Sequence, residues 1–153
     1  MTLEIEINTQ MSNHAKAAAE MILAEYGQTL DYSEKTIGAV SAILNGLREG
    51  DDKSDEFHKT IALLFGSYIG EVIRYAFPHA SWQRGIEEPE FEVAVIQLNE
   101  TALHPISWCL DQLQHGKEHS VANIYMEFRE ALAESELNES IENSTAKPWW
   151  KLW

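Results

Sequence analysis

Apolar residues recur at helical spacing over much of the chain. A first helix is predicted over residues 12–26, and a second helix, closed by Gly50, carries a narrow apolar stripe at Ile37, Val40, Leu44 and Leu47. Asp31 and Glu34 have capping-box spacing ahead of the second helix, and Ser33 is the alternative N-cap. The chain therefore begins with two amphipathic helices separated by a capped turn.

A third helix, over residues 54–77, has the widest apolar face of the chain. Ser54 can cap it, the acidic residues that follow Ser54 suit the positive end of its dipole, and Pro78 ends it. We expect this helix to be the most buried, with the strand at 91–98 in contact with it.

The hydrophobic period then changes from helical to alternating. Residues 80–83 and 91–98 read as two strands joined by the turn at 85–90, and residues 3–8 show a shorter alternation. A helix over 105–115 follows, with a proline in its first turn and a glycine stop. With a last helix from Ser120, the pattern predicts an α+β fold: about five helices packed around a small two- or three-stranded antiparallel sheet.

The composition shifts near the end of the chain. Residues 1–133 are predicted to form one globular domain, residues 134–146 a polar linker, and residues 147–153 a Trp-rich tail. Exposed indoles are costly in water, so the tail should fold back on its own domain, dock into a groove of a partner, or lie at a membrane surface. Its candidate binding residues are Trp149, Trp150 and Trp153.

The charge balance bears on the partner. The net charge is −14, from 11 basic and 25 acidic residues, which disfavours nucleic acid and attracts a basic protein. The alternative is that the charge serves solubility alone. Two groups of acidic residues are candidate binding sites, namely Asp51, Asp52, Asp55 and Glu56, and then Glu87, Glu88 and Glu90.

The expected cellular compartment follows from three features that the sequence lacks. It has one cysteine, no basic-then-apolar start typical of a secretory signal, and no apolar run of about 18 residues such as a membrane span needs. We expect a cytoplasmic protein in a reducing compartment.

Candidate catalytic and metal sites find little support in the sequence. Cys109 falls on the apolar stripe of its helix, which favours a packed and inert thiol. His115 and His119 are four residues apart, but Gly116 lies between them and no third ligand is near. We therefore expect no metal, no cofactor and no catalytic residue.

Two glycines and one polar pair interrupt the third helix. Gly66 and Gly70 weaken a helix, so another segment should approach closely at that strip. Glu71 and Arg74 can pair on the helix surface, and with Trp82 they could line a small polar pocket. A structural ion pair is the favoured interpretation of these residues, and a binding or catalytic pocket is the alternative.

The stretch LFGSYIGEVIR at 64–74, followed by Trp82, resembles a pattern in a family of small uncharacterised bacterial proteins. Residues 30–33 and 104–106 are similar to it as well, and the resemblance covers residues 30–130. It implies a compact α+β domain of bacterial or phage origin. It implies no activity, because that family has none assigned.

These observations favour a non-catalytic protein-binding domain. The specific hypothesis is an immunity or antitoxin-like inhibitor that covers a basic bacterial toxin. The alternatives are a small enzyme or ligand-binding domain with a pocket at Glu71, Arg74 and Trp82, and an adaptor recruited through its Trp-rich tail. The oligomeric state stays open.

Overall fold

A computed structural model describes residues 3–84 and 94–146, and this part of the chain forms five α-helices and one three-stranded antiparallel sheet. The predicted α+β class is confirmed. The chain divides into two compact units, Met1–Ala122 and the chain from Asn123 onward. The elements are α1 (Leu3–Tyr26), α2 (Thr36–Arg48), α3 (Asp55–Ala76), β1 (Ser81–Arg84), β2 (Ala94–Leu98), β3 (Thr101–Leu103), α4 (Pro105–His115) and α5 (Val121–Ala146).

Helix α3 is the centre of the first unit. The Ser54 hydroxyl accepts a hydrogen bond from the backbone N–H of Phe57 at 3.1 Å, which caps the helix as predicted. Buried side chains extend from His58 to Ile73, so the helix is buried along most of its length. Its principal neighbours are the helices α1 and α4, and β2, the described part of the strand predicted at 91–98, is not among them.

Helix α1 begins at Leu3, so the strand suggested by the alternation at residues 3–8 is wrong. An alternation of six residues is also compatible with the start of a helix, and the longer apolar repeat overrides it. Side chains three or four positions apart are at most 2% exposed, namely Ile7, Met11, Ala15, Ala18 and Ile22.

The capping box predicted before α2 does not form. The Asp31 carboxylate accepts hydrogen bonds from the backbone N–H of Ser33 at 3.0 Å and from its hydroxyl at 2.6 Å. Between them, Tyr32 has a left-handed backbone with φ of 67°. The chain turns there, and α2 begins at Thr36 without a side-chain cap.

The sheet follows α3 directly. Residues Trp82 and Ile96 are paired between β1 and β2, and Leu98 and Thr101 between β2 and β3. The alternate residues of β2 that include Ile96 are buried, which points that face of the sheet into the core. Helix α4 then begins and ends as predicted, with Gly116 at φ of 86° after its last residue.

Helix α5 continues to Ala146, so the segment 134–146, predicted as a polar linker, is helical. This segment lacks apolar periodicity, but four of its thirteen residues are Glu, which favours helix on its own. No helix of the described part is long and apolar enough to cross a membrane. Residues 85–93 and 147–153, which hold the second acidic group and the Trp-rich tail, lie outside the described residues.

Candidate functional site

Glu71, Arg74 and Trp82 come together as the sequence predicts. The indole Nε1 of Trp82 and the Nη1 of Arg74 each donate a hydrogen bond to Oε2 of Glu71, both at 2.8 Å. Glu71 is 3% exposed and Trp82 is 1% exposed. A ligand would have to displace the indole ring to reach the carboxylate, so the geometry favours a cluster that ties α3 to β1.

Both glycines of α3 accommodate close neighbours, but the neighbour is another backbone, as expected, only at Gly66. At Gly66 the neighbour is backbone, because an added Cβ would lie 2.5 Å from Cα of Ile106 at the start of α4. At Gly70 the neighbour is a side chain, since an added Cβ would overlap the six-membered ring of Trp82. Both glycines are therefore needed for packing around α3.

The first acidic group lies between α2 and α3, and its residues Asp51, Asp52, Asp55 and Glu56 are all exposed. The Asp52 carboxylate accepts a hydrogen bond from the Ser54 backbone N–H at 3.0 Å, which lowers the pKa of Asp52. The Asp55 carboxylate lies 3.5 Å from Nζ of Lys59. Two of these four acids thus have local structural partners, and all four face solvent.

The residues considered for catalysis or metal binding are not arranged for it. Cys109 is fully buried, and burial raises the pKa of its thiol well above its usual range. The rings of His115 and His119 do come close, with centroids 5.0 Å apart across a 3₁₀ turn. Within residues 3–84 and 94–146, no group of three or more His, Cys, Asp or Glu side chains could hold a metal ion.

Cys109 should therefore react slowly with a thiol reagent in the folded protein. Both its burial and its raised pKa oppose thiolate formation, and the thiolate is the reactive form. The measurement is the rate of labelling in buffer and in denaturant. A native rate close to the denatured rate would reopen the case for a nucleophile.

A cluster of three tyrosines was not predicted, and it is the most unusual feature of the described surface. The ring of Tyr32 lies on Tyr68, with centroids 4.9 Å apart, and edge-on to Tyr75 at 5.1 Å. Tyr68 is fully buried, whereas Tyr75 is 63% exposed. We call Tyr32 and Tyr75, with Tyr68 beneath them, the tyrosine surface.

Hydrogen bonds hold the tyrosine surface in place. The hydroxyl of Tyr68 accepts the backbone N–H of Tyr32 at 2.9 Å and lies 2.8 Å from the hydroxyl of Thr36. A bulky residue rarely adopts the left-handed conformation of Tyr32, so these bonds stabilise a strained backbone. The buried Tyr68 thus fixes where the ring of Tyr32 lies.

Carboxylates lie near the tyrosine surface, and the cation of Lys35 lies near one of them, Asp31. The pKa of Tyr32 is raised by partial burial first and by its neighbours next, among them the carboxylates of Glu71 and Glu20. The pKa of Asp31 is lowered by its hydrogen bonds from Ser33, so this neighbouring carboxylate stays charged. Aromatic faces beside carboxylates favour the approach of Arg or Lys.

The sequence predicts part of the tyrosine surface. Tyr68 and Tyr75 are seven residues apart on α3, so they share one helix face. Tyr32 has no such signal, because its position depends on a backbone conformation that its residue type disfavours.

Comparison with protein-family models, with curated proteins and with solved structures found no match.

Proposed function

We propose that the chain is a non-catalytic protein-binding domain whose tyrosine surface contacts a basic partner. The observation that carries this proposal is the left-handed backbone of Tyr32, which places its ring against the exposed Tyr75. Tyr and Arg are the side chains most often found at the centre of protein interfaces, and the two pair well with each other.

The strain at Tyr32 supports a binding role. A non-glycine residue in this conformation costs on the order of 1–3 kcal/mol, and such residues cluster at binding sites. A glycine at position 32 would form the same turn without strain and without the aromatic ring. The presence of tyrosine suggests that the ring, and not the turn, is the feature required.

The charge of the chain supports a basic partner. The net charge of −14 creates a field that steers cations toward the protein, and Asp31 and Glu20 place part of that charge next to the aromatic rings. The acidic group at Asp51, Asp52, Asp55 and Glu56 adds to this long-range attraction. The tyrosines would form the contact itself. The carboxylates would raise the rate at which the basic partner encounters the protein.

A non-catalytic role fits the described chemistry. The thiol of Cys109 is buried, and the carboxylate of Glu71 is occupied by two donors of its own chain. The finer proposal is an immunity or antitoxin-like inhibitor of a basic bacterial toxin. It rests on small size and strong acidity, and a toxin gene beside the gene for this chain would support it.

Site-specific photo-crosslinking tests the proposal. A photoreactive residue at position 75 should capture one basic protein in the native cell, because Tyr75 is at the centre of the proposed contact. The control is the same residue at position 117, which is exposed and lies on the turn after α4. Capture should weaken as salt is added, since the encounter is steered by charge. Equal capture at both positions, or none at position 75, would contradict the proposal.

A further inference from the structure

A polar cavity of about 280 Å³ lies where α2, α3 and α4 meet in the first unit. It is distinct from the tyrosine surface, and the proposed contact at that surface does not involve it. Its volume is just below the usual range for small-molecule sites, so it suits a small ligand or one end of a larger one. Its lining residues are Arg48, Lys53, Asp55, His58, Leu113 and Gln114.

Arg48 is a cation that has no counter-ion among residues 3–84 and 94–146. Its guanidinium lies over Gly116, where an added Cβ would be 3.3 Å from its Cζ. Its Nε is buried and makes no hydrogen bond, and among the described residues no carboxylate lies within ion-pair distance of its side chain. In a chain with 25 acidic and 11 basic residues, an arginine left without an acid is unexpected.

Lys53 and His58 add nitrogen atoms to the same cavity. The ammonium of Lys53 donates to the backbone carbonyl of Arg48 at 2.9 Å, which holds it at the C-terminal end of α2. His58 is 7% exposed, and its Nε2 is buried without a hydrogen-bond partner in the described structure. Buried polar atoms that lack partners are rare, and a missing ligand, ion or water is the usual explanation.

Asp55, the acidic residue of the cavity lining, already has partners. Its carboxylate lies 3.5 Å from Nζ of Lys59 and accepts a hydrogen bond from Nε2 of Gln114 at 3.4 Å. The wall that holds Asp55 and His58 is also the first turn of α3, where the positive end of the helix dipole favours an anion. The Asp52 carboxylate also interacts electrostatically with His58, so Arg48 and Lys53 are the lining cations that have no ion pair among the described residues.

We propose that this cavity binds the phosphate group of a small molecule. Arg48 offers the planar fork that pairs with a phosphate, Lys53 a second cation, and His58 a further donor. The strongly negative surface around the cavity, with Asp51 and Asp52 nearby in sequence, disfavours extended polyanions. A single compact phosphate meets the cavity residues directly and is the class of ligand that this arrangement accepts.

Titration of the full chain with inorganic phosphate at constant ionic strength tests the proposal. NMR should show saturable shifts of the His58 ring, and calorimetry should give the affinity. The Arg48→Gln variant should bind about tenfold more weakly or worse, because it loses the charged fork. The Arg84→Gln variant removes the same charge from an exposed position on β1 and should bind as the unchanged protein does.

One replacement variant and one control ligand complete the test. If Arg48→Gln does not fold, Lys53→Gln replaces it, because Lys53 is exposed on the cavity rim. Acetate at the same concentration should shift the NMR signals of the His58 ring far less than phosphate does. Absence of saturable shifts, equal binding of acetate, or equal weakening by the Arg48 and Arg84 substitutions would each overturn the proposal. None of these outcomes would bear on protein binding at the tyrosine surface.

Discussion

Replacing Glu71 with leucine is expected to lower the free energy of unfolding by roughly 2–4 kcal/mol. The substitution leaves the buried indole N–H of Trp82 without its acceptor and removes the ion partner of Arg74. The Arg74 side chain is 29% exposed, so water can take over part of its pairing and the indole carries most of the loss. Urea denaturation of both proteins measures the difference.

Two further variants separate the hydrogen bond from the packing. Glu71→Gln keeps an oxygen acceptor for the indole and should lose less stability than Glu71→Leu. Combining Glu71→Leu with Trp82→Phe should cost less than the sum of the two single changes, because the unpaired donor is then absent. A Glu71→Leu variant as stable as the original protein would show that this cluster does not hold α3 to β1.

Replacing Gly66 with alanine is expected to destabilise the protein by about 1–3 kcal/mol, even though alanine favours helix. The added methyl would lie 2.5 Å from Cα of Ile106, and backbone cannot move aside as a flexible side chain can. Helix α4 would have to shift away from α3. Thermal or urea unfolding measures the effect.

Gly46 on α2 provides the matched control. An added Cβ there meets nothing within 4 Å, so Gly46→Ala should raise stability by about 0.5–1 kcal/mol through helix propensity alone. The two substitutions make the same chemical change in helices and should have opposite signs. Stabilisation by both would contradict the close approach of α3 and α4.

Capping and helix-breaking residues in the sequence predicted the ends of several elements well. Ser54 and Pro78 bracket α3, and Pro105 and Gly116 bracket α4, because a capping hydroxyl, a proline ring and a glycine each act on the adjacent backbone. The spacing of apolar residues did not predict helix where the segment was short or polar. Residues 3–8 and 134–146 are both helical, but the first segment is too short to show a helical repeat and the second carries few apolar residues.

The candidate sites also divide into contacts that the sequence predicts and contacts that it does not. The contact of Glu71 with Arg74 follows from their spacing on one helix, and the approach at Gly66 from the absence of a side chain. The tyrosine surface could not be predicted as a whole, because it depends on the left-handed backbone of Tyr32. That conformation is stabilised by Tyr68, which is 36 residues away along the chain.

The affinity of the captured partner for the Tyr75→Ala variant tests the proposed function most directly. Tyr75 is 63% exposed, so the substitution should leave stability nearly unchanged, while truncation of a central contact residue should weaken binding by about tenfold or more. Met126→Ala, at a residue that is 60% exposed on α5, is the control and should bind as the original protein does. An unchanged dissociation constant for Tyr75→Ala, or equal weakening by both variants, would contradict the assignment of the tyrosine surface as the binding site.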